Sequence, residues 1–594
     1  MLDVELLRAG LGEKKADLVV AGGRLVNVLT DEIYPADVAI SGARIAAVGD
    51  VGRYVGSTTK IADASGFHLV PGLVDGHIHV ECSKLSLTMF ARAVVPFGTT
   101  SIVSGLDQIL VVAGLPGVRE FLEEAKQGPL KVFWGAPFKT PYTLPESTVG
   151  HALGPAEHET VQRWPECVGV WETVQEFVLG EDADVLATLA LAARNRLPVF
   201  GCAPLARAER VAALACAGVR ADHECYSAEE TLEKLRNGLL VMIRESSVAH
   251  FLEENIRVVT ESGVNARRLG FCTDDVTASD VLRDGHLDRL VRMAIAAGVE
   301  PLRAIQIATV NCAEMYRIDQ IVGAIAPGRF ADILLVRDLE RFDVAHVIAN
   351  GRPVATGRRM TETFEPPPRS PSLLATFPIG PVDPGELVVR TDAAAGAVRV
   401  LSMRMSEQVP FVRKRHEAVL PVRDGAVLPD ADQDVLYVAV VERYGKTRHR
   451  PVAFVTGFGL ASGAIASSAA PDDNNVVCVG TNPEDMAFAI NRLLAEGGGQ
   501  IVVRDGAVVA FLPLPIGGIV ADLDPARMAE EETRLDEAAR ELGSRLPSPF
   551  MYLIFLSITA IPDYAITDLG LVDCVTLEVT SPVLGPVHAA AEGV

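Results

Sequence analysis

Between residues 72 and 322, short apolar runs alternate with stretches of helical periodicity. The strand candidates are PGLVDGHIHV, TTSIVSG, LKVFWGA, CVGVWE, LPVFGCA, GVRADHE, LLVMIRE and LGFCTDD. Segments such as ADVLATLALAARNR and HLDRLVRMAIAAG lie between them and place apolar residues at helical spacing. A run that is apolar throughout suits a strand buried on both faces, and parallel strands need a helical crossover to follow one another. About eight such units predict a (β/α)8 barrel, with functional side chains at the C-terminal ends of the strands.

On either side the pattern shortens to β-type pieces. Residues 1–71 predict a helix from Leu2 to Leu11 ending at Gly12, then strands in ADLVVAGGRLVNV, ADVAISGARIAAVG and FHLVPG. Gly22-Gly23 and Ser41-Gly42 mark tight turns. Similar pieces resume over 323–360, in GRFADILLVRDLERFDVAHVIANGRPV. The expectation is one small β-sandwich assembled from both flanks, with the 72–322 barrel inserted between them. Residues 361–384 are rich in Pro and Ser and predict a linker. Residues 385–594 mix strand runs such as VLYVAVVERYG and QIVVRDGAVVAFLPLP with helices in PEDMAFAINRLLAEGG and ARMAEEETRLDEAARELG, an α+β domain whose topology the pattern leaves open.

Composition narrows the partners. The formal net charge of −23 argues against nucleic acid or an anionic membrane surface, both of which need a basic patch. The nine cysteines are scattered without a CxxC pair, which fits a reducing cytoplasm. The first residues lack a basic segment followed by an apolar core, so no secretory signal is expected. No apolar run reaches the ~18–20 residues of a membrane helix.

The candidate chemistry lies where the barrel strands end. In PGLVDGHIHVE, alternation along a strand sends His77 and His79 to one side, a spacing at which two imidazoles can grip one cation. Glu172 closes VGVWE, Cys202 follows PVFG, His223 and Glu224 follow VRAD, and Asp274 and Asp275 follow LGFCT. This order of side chains can hold one or two divalent ions that make water acidic near neutral pH, with Glu172 as a bridge and Asp274 as proton carrier. Blander roles stand beside these. Glu172 can be solvated or cap a helix, Asp274 and Asp275 can cap the helix that follows them, and Cys202 can be a small buried hydrophobe or a soft ligand. The remaining histidines, His286 and His588 among them, have no comparable context and read as structural or surface residues.

With these residues in place, the chain resembles the amidohydrolase superfamily and, within it, the bacterial adenine deaminases. The likeness is carried by PGLVDGHIHVECS, ARAVVPFGTTSIV, DHECYSAEETLEKLRNGLLVMIRESS, LGFCTDDV and APGRFADILL, and in the far domain by GFGLASGAIASS and INRLLAEGGGQIVVRDGAVVAFLPLPIGG. It implies manganese, iron or zinc held by His77, His79, Glu172, His223 and Asp274. The implied reaction is attack of metal-bound hydroxide on adenine, giving hypoxanthine and ammonia. Asp274 would shuttle protons, and Glu224 or Asp275 would hold the purine edge. A homodimer or larger assembly is implied as well. The chain departs from the family pattern at Gly201-Cys202, where the family has Gly-His, at Gly105 to Gln108 in place of DPHE, and at Pro471 to Asn475 in place of HDSHN. Cys202 then either binds as thiolate or leaves a weakened second ion. The altered loops keep open a relative acting on another aminated heterocycle or a cyclic amide, and a metal-poor barrel that only binds ligands.

Overall fold

The eight runs form one parallel eight-stranded sheet in sequence order. We number its strands β1 (Leu73–Asp75), β2 (Thr99–Ser104), β3 (Lys131–Pro137), β4 (Cys167–Val174), β5 (Val199–Cys202), β6 (Val219–Asp222), β7 (Leu240–Arg244) and β8 (Leu269–Cys272). The protein is described by a computed structural model over residues 3–142, 147–406, 412–561 and 563–587; His588 lies outside the described residues. The chain divides into two compact units. One comprises Met1–Leu106, Glu120–Phe138 and Gly154–Pro367, the other Asp107–Arg119, Lys139–Leu153 and Pro368–Val594. Two stretches that the pattern assigns to the barrel, 107–119 and 139–153, thus group with the C-terminal unit.

In the first unit, β1 meets β8 and closes the sheet into a barrel. Gly76 N–H donates to the Phe271 carbonyl (3.2 Å), Asp274 N–H to His77 (2.9 Å) and His79 N–H to Asp274 (2.9 Å). Closure demands close approach: a Cβ at Gly76 would stand 2.6 Å from Met242 Sδ and 3.3 Å from the Phe271 carbonyl oxygen. The barrel interior is filled by Val74, Val103, Trp171, Phe200, Ala221 and Met242, all buried.

The sandwich draws on both flanks. His68–Pro71 pairs antiparallel with Ile333–Val336, the middle strand of a seven-stranded sheet, and parallel with Arg24–Asn27 on its other side. A four-stranded sheet around Leu18–Ala21 packs on it through Val20, Val38 and Ile40 against Leu25, Leu69 and Ile333. The first helix runs Val4–Leu11, is capped by the Asp3 side chain, and ends at Gly12 in the left-handed region (φ 75°).

The second unit is built on an eleven-stranded sheet that is antiparallel except where Ala395–Met405 lies parallel to Val452–Thr456. The expected helices are Pro483–Ala495 and Pro525–Glu541. The long pair Ala395–Met405 and Arg413–Arg423 was not anticipated. Arg413–Arg423 is rich in charge and mostly exposed or half-buried, so it carries little of the apolar signal by which a strand is recognised, and Ala395–Met405 opens on exposed small residues before its buried run.

One buried cation fastens the loops that leave β5 and β6. Lys234, on the helix Ala228–Arg236, donates to the carbonyls of Ala203 (2.8 Å) and Glu224 (2.7 Å) and pairs with Asp222 (2.5 Å) and Glu230 (2.7 Å). Asp222 in turn accepts from Ala203 N–H and Glu224 N–H. Lys234→Met should therefore strand two buried carboxylates and cost about 3–5 kcal/mol, read as a lowered unfolding midpoint of the barrel unit in urea. Gly76→Ala should cost about 1–3 kcal/mol by the same measurement, since the added methyl overpacks the seam between β1 and β8.

Candidate metal centre

Side chains from four strand ends converge at the C-terminal mouth of the barrel. The segment after β1 supplies His77 and His79, β4 supplies Glu172, the end of β6 supplies His223, and the end of β8 supplies Asp274 and Asp275. Three overlapping groups each bring their ligand atoms within 4.8 Å of one another: His77, His223 and Asp274; His77, His79 and Glu172; His79, Asp274 and Asp275. Glu172 and Asp274 both sit in the left-handed region, with φ of 53° and 58°. Non-glycine residues rarely accept that conformation, and it recurs at functional sites held in place by their surroundings.

Glu172 Oε1 is the hub. It lies 2.9 Å from His77 Nε2, 3.3 Å from His79 Nε2 and 3.6 Å from His223 Nε2. Asp274 Oδ1 lies 3.6 Å from His77 Nε2 and 3.4 Å from His79 Nε2. The His77 ring is stacked between Trp171 (3.9 Å between centroids) and His223 (3.8 Å). Trp171 is fixed in turn by its indole N–H to Tyr316 Oη (3.3 Å), and Tyr316 donates to the Gly76 carbonyl (2.7 Å). Asp75, fully buried, accepts from His77 N–H and from the Thr273 hydroxyl and N–H, tying β1 to the end of β8.

The electrostatics follow from crowding charge in a dry mouth. Burial, reinforced by His223, pushes His77 down to about 4, so its ring is neutral near pH 7. Burial opposes the Glu172 carboxylate, yet His223 and His77 hold it well below the usual range. Burial likewise opposes Asp274, but Arg244 and the surrounding imidazoles keep it ionised. Burial and the Asp274 charge push Asp275 up to about 6. A neutral imidazole and an ionised carboxylate are the protonation states a divalent cation requires of its ligands. The His77 ring is fully buried; its Nδ1 has no hydrogen-bond partner, and its Nε2 is crowded by the Glu172 (2.9 Å) and Asp274 (3.6 Å) carboxylate oxygens. Imidazole nitrogen and carboxylate oxygens brought together in a buried site suit a cation.

Of the residues expected at the site, Glu172 is buried rather than solvated, and the helix after Asp275, Ala278–Asp284, is capped by Thr277 instead of by either aspartate. Glu224 stands beside His223, with Oε1 3.7 Å from the imidazole. Cys202 enters none of the three groups of clustered ligand atoms among the described residues. Burial and the neighbouring Glu172 and Glu224 charges push its thiol well up, and the next residue, Ala203, is tied to Asp222. Asp275 Oδ1 accepts from the Cys82 thiol at 2.9 Å. The sequence reading missed Arg244, whose Nη1 bonds both Glu224 Oε1 (2.7 Å) and Asp274 Oδ2. Its signal was present: Arg244 ends the apolar run LLVMI as Glu172 ends VGVW.

The sequence pattern of the Amidohydrolase family matches residues 68–354, and that of the Adenine deaminase C-terminal domain matches residues 411–578. The chain is 58% identical over 594 residues to Adenine deaminase 4 of Rhizobium meliloti (strain 1021), covering 99% of both. It is 53% identical to Adenine deaminase 1 of Desulfotalea psychrophila and 51% identical to Adenine deaminase 1 of Latilactobacillus sakei, covering 98% of each chain in both cases. With a barrel of this form, both domain patterns in order and relatives of this identity along nearly its whole length, the chain belongs to the adenine deaminase family of amidohydrolases.

Proposed function

We propose that the protein is a metal-dependent hydrolytic deaminase that converts adenine and water to hypoxanthine and ammonia. The observation that carries this reading is the convergence of His77, His79, Glu172, His223 and Asp274 at one barrel mouth, in a chain whose relatives bear that name. These five residues would hold one or two divalent ions, manganese, iron or zinc, with Glu172 placed to bridge because its Oε1 is near three imidazoles. A bound cation of this kind supplies the Lewis acidity that makes water a nucleophile near neutral pH.

The protein's own groups do the rest. Asp274 turns Oδ1 toward His77 and His79, where it can take a proton from the attacking water and deliver it to the departing amino group. Glu224 Oε2 is buried with no hydrogen-bond partner and is available to a ring nitrogen of the purine. Asp275, grouped with His79 and Asp274, is the second candidate for the ring edge. Trp171 and Tyr316 close the floor beneath His77 and keep the imidazole from turning. All nine cysteines are free thiols, which supports a reducing, cytoplasmic setting. The family resemblance supports a homodimer.

The purified protein loaded with manganese, iron or zinc should release ammonia from adenine, and chelation should remove the activity until divalent metal is restored. Ammonia from another aminated heterocycle but none from adenine, at every metal loading, would overturn the assignment. Asp274→Asn should lower kcat by about 100- to 10,000-fold while elemental analysis finds the metal largely retained. His77→Ala should instead lose metal together with activity, which separates holding the cation from moving the proton.

A further inference from the structure

We propose that Arg244 is a positioning residue of this reaction, holding the carboxylates of Asp274 and Glu224 in a fixed relation to each other. The roles of those two carboxylates rest on the deaminase reading; the geometry does not. Arg244 ends β7 in register with Cys272 of β8, two residues before Asp274. Glu224 stands two residues beyond the end of β6. One guanidinium nitrogen therefore spans the gap between the ends of the two strands that flank its own.

The division of oxygens is the informative detail. In Asp274, Oδ2 is taken by Arg244 and Oδ1 faces His77 and His79. In Glu224, Oε1 is taken by Arg244 and Oε2 is buried with no partner. Each carboxylate is thus fixed through one oxygen and leaves the other for the site. Two buried carboxylates facing each other repel, and without a cation between them they would turn apart or take up a proton. The Phe251 ring lies 5.4 Å from the guanidinium carbon and shields it. Arg244 Nε is buried without an acceptor, so the protein does not spend the whole guanidinium on structure. A lysine ammonium can match the charge, but its freely rotating point charge does not fix the two N–H directions that the planar guanidinium sets at Nη1.

The test uses the full chain loaded with cobalt(II), comparing the parent with Arg244→Ala and Arg244→Lys. Both variants should bind cobalt at the parent stoichiometry. Arg244→Ala should show an altered visible ligand-field spectrum, because Asp274 turns, and methylguanidinium should restore the parent spectrum in a saturable way. Turnover of adenine by Arg244→Ala should fall about 100-fold and be rescued over the same methylguanidinium range, with Arg244→Lys intermediate in both readouts. A parent-like spectrum with kcat within about twofold of the parent would overturn the proposal. So would an altered spectrum that neither methylguanidinium nor lysine repairs, since that marks general damage. A parent that leaves adenine untouched would end the deaminase reading alone, while the spectra would still decide the role of Arg244.

Discussion

A parallel barrel has to join its first strand to its last, and here that join is made by residues of the clustered imidazoles and carboxylates at its mouth. The bonds from Asp274 N–H to the His77 carbonyl and from His79 N–H to the Asp274 carbonyl are the terminal rungs of the closing ladder. The backbone that shuts the cylinder thereby fixes the distance between the His77/His79 pair and Asp274. Asp75 reinforces the same seam from below by binding the His77 and Thr273 amides. Glu172 and His223 then need only arrive from the far wall, and Trp171, wedged against the His77 ring, sets how far inward they can come.

Such an arrangement concentrates charge that water would otherwise screen. Glu172, Asp222, Glu224 and Asp274 are all buried near one another, a density of carboxylate that an empty apolar interior would not tolerate. Two cations offset it, the buried Lys234 behind the β5 and β6 loops and the largely buried Arg244 between the ends of β6 and β8. The imidazoles take up the remainder. The left-handed backbone at Glu172 and Asp274 shows that local conformational preference yields to this arrangement.

How much of this was legible depends on the kind of signal. The eight barrel strands were visible because each is an apolar run bounded by turn or polar residues, and His77, His79, Glu172, His223 and Asp274 were visible because they stand where those runs stop. Arg244 obeyed the same rule but went unremarked, because a cation has no place in a search for metal ligands. Its partners, Glu224 and Asp274, are 20 and 30 residues away in sequence. The grouping of 107–119 and 139–153 with the C-terminal unit is a tertiary outcome to which hydrophobic periodicity is blind. The pairing of Ala395–Met405 with Arg413–Arg423 escaped for the opposite reason: Arg413–Arg423 is rich in charge and owes its strand form to the neighbour it pairs with.

The sandwich has a consequence for how the chain is made. Its strand His68–Pro71 finds its antiparallel neighbour in Ile333–Val336, the middle strand of the sheet. A ribosome must therefore extrude the whole barrel before that sheet can be completed. Until then Leu25 and Leu69 have no Ile333 or Leu335 to cover them, and an open strand edge faces solvent. Vectorial synthesis thus leaves the amino-terminal segment waiting, adhesive and incomplete, for a partner more than two hundred residues downstream.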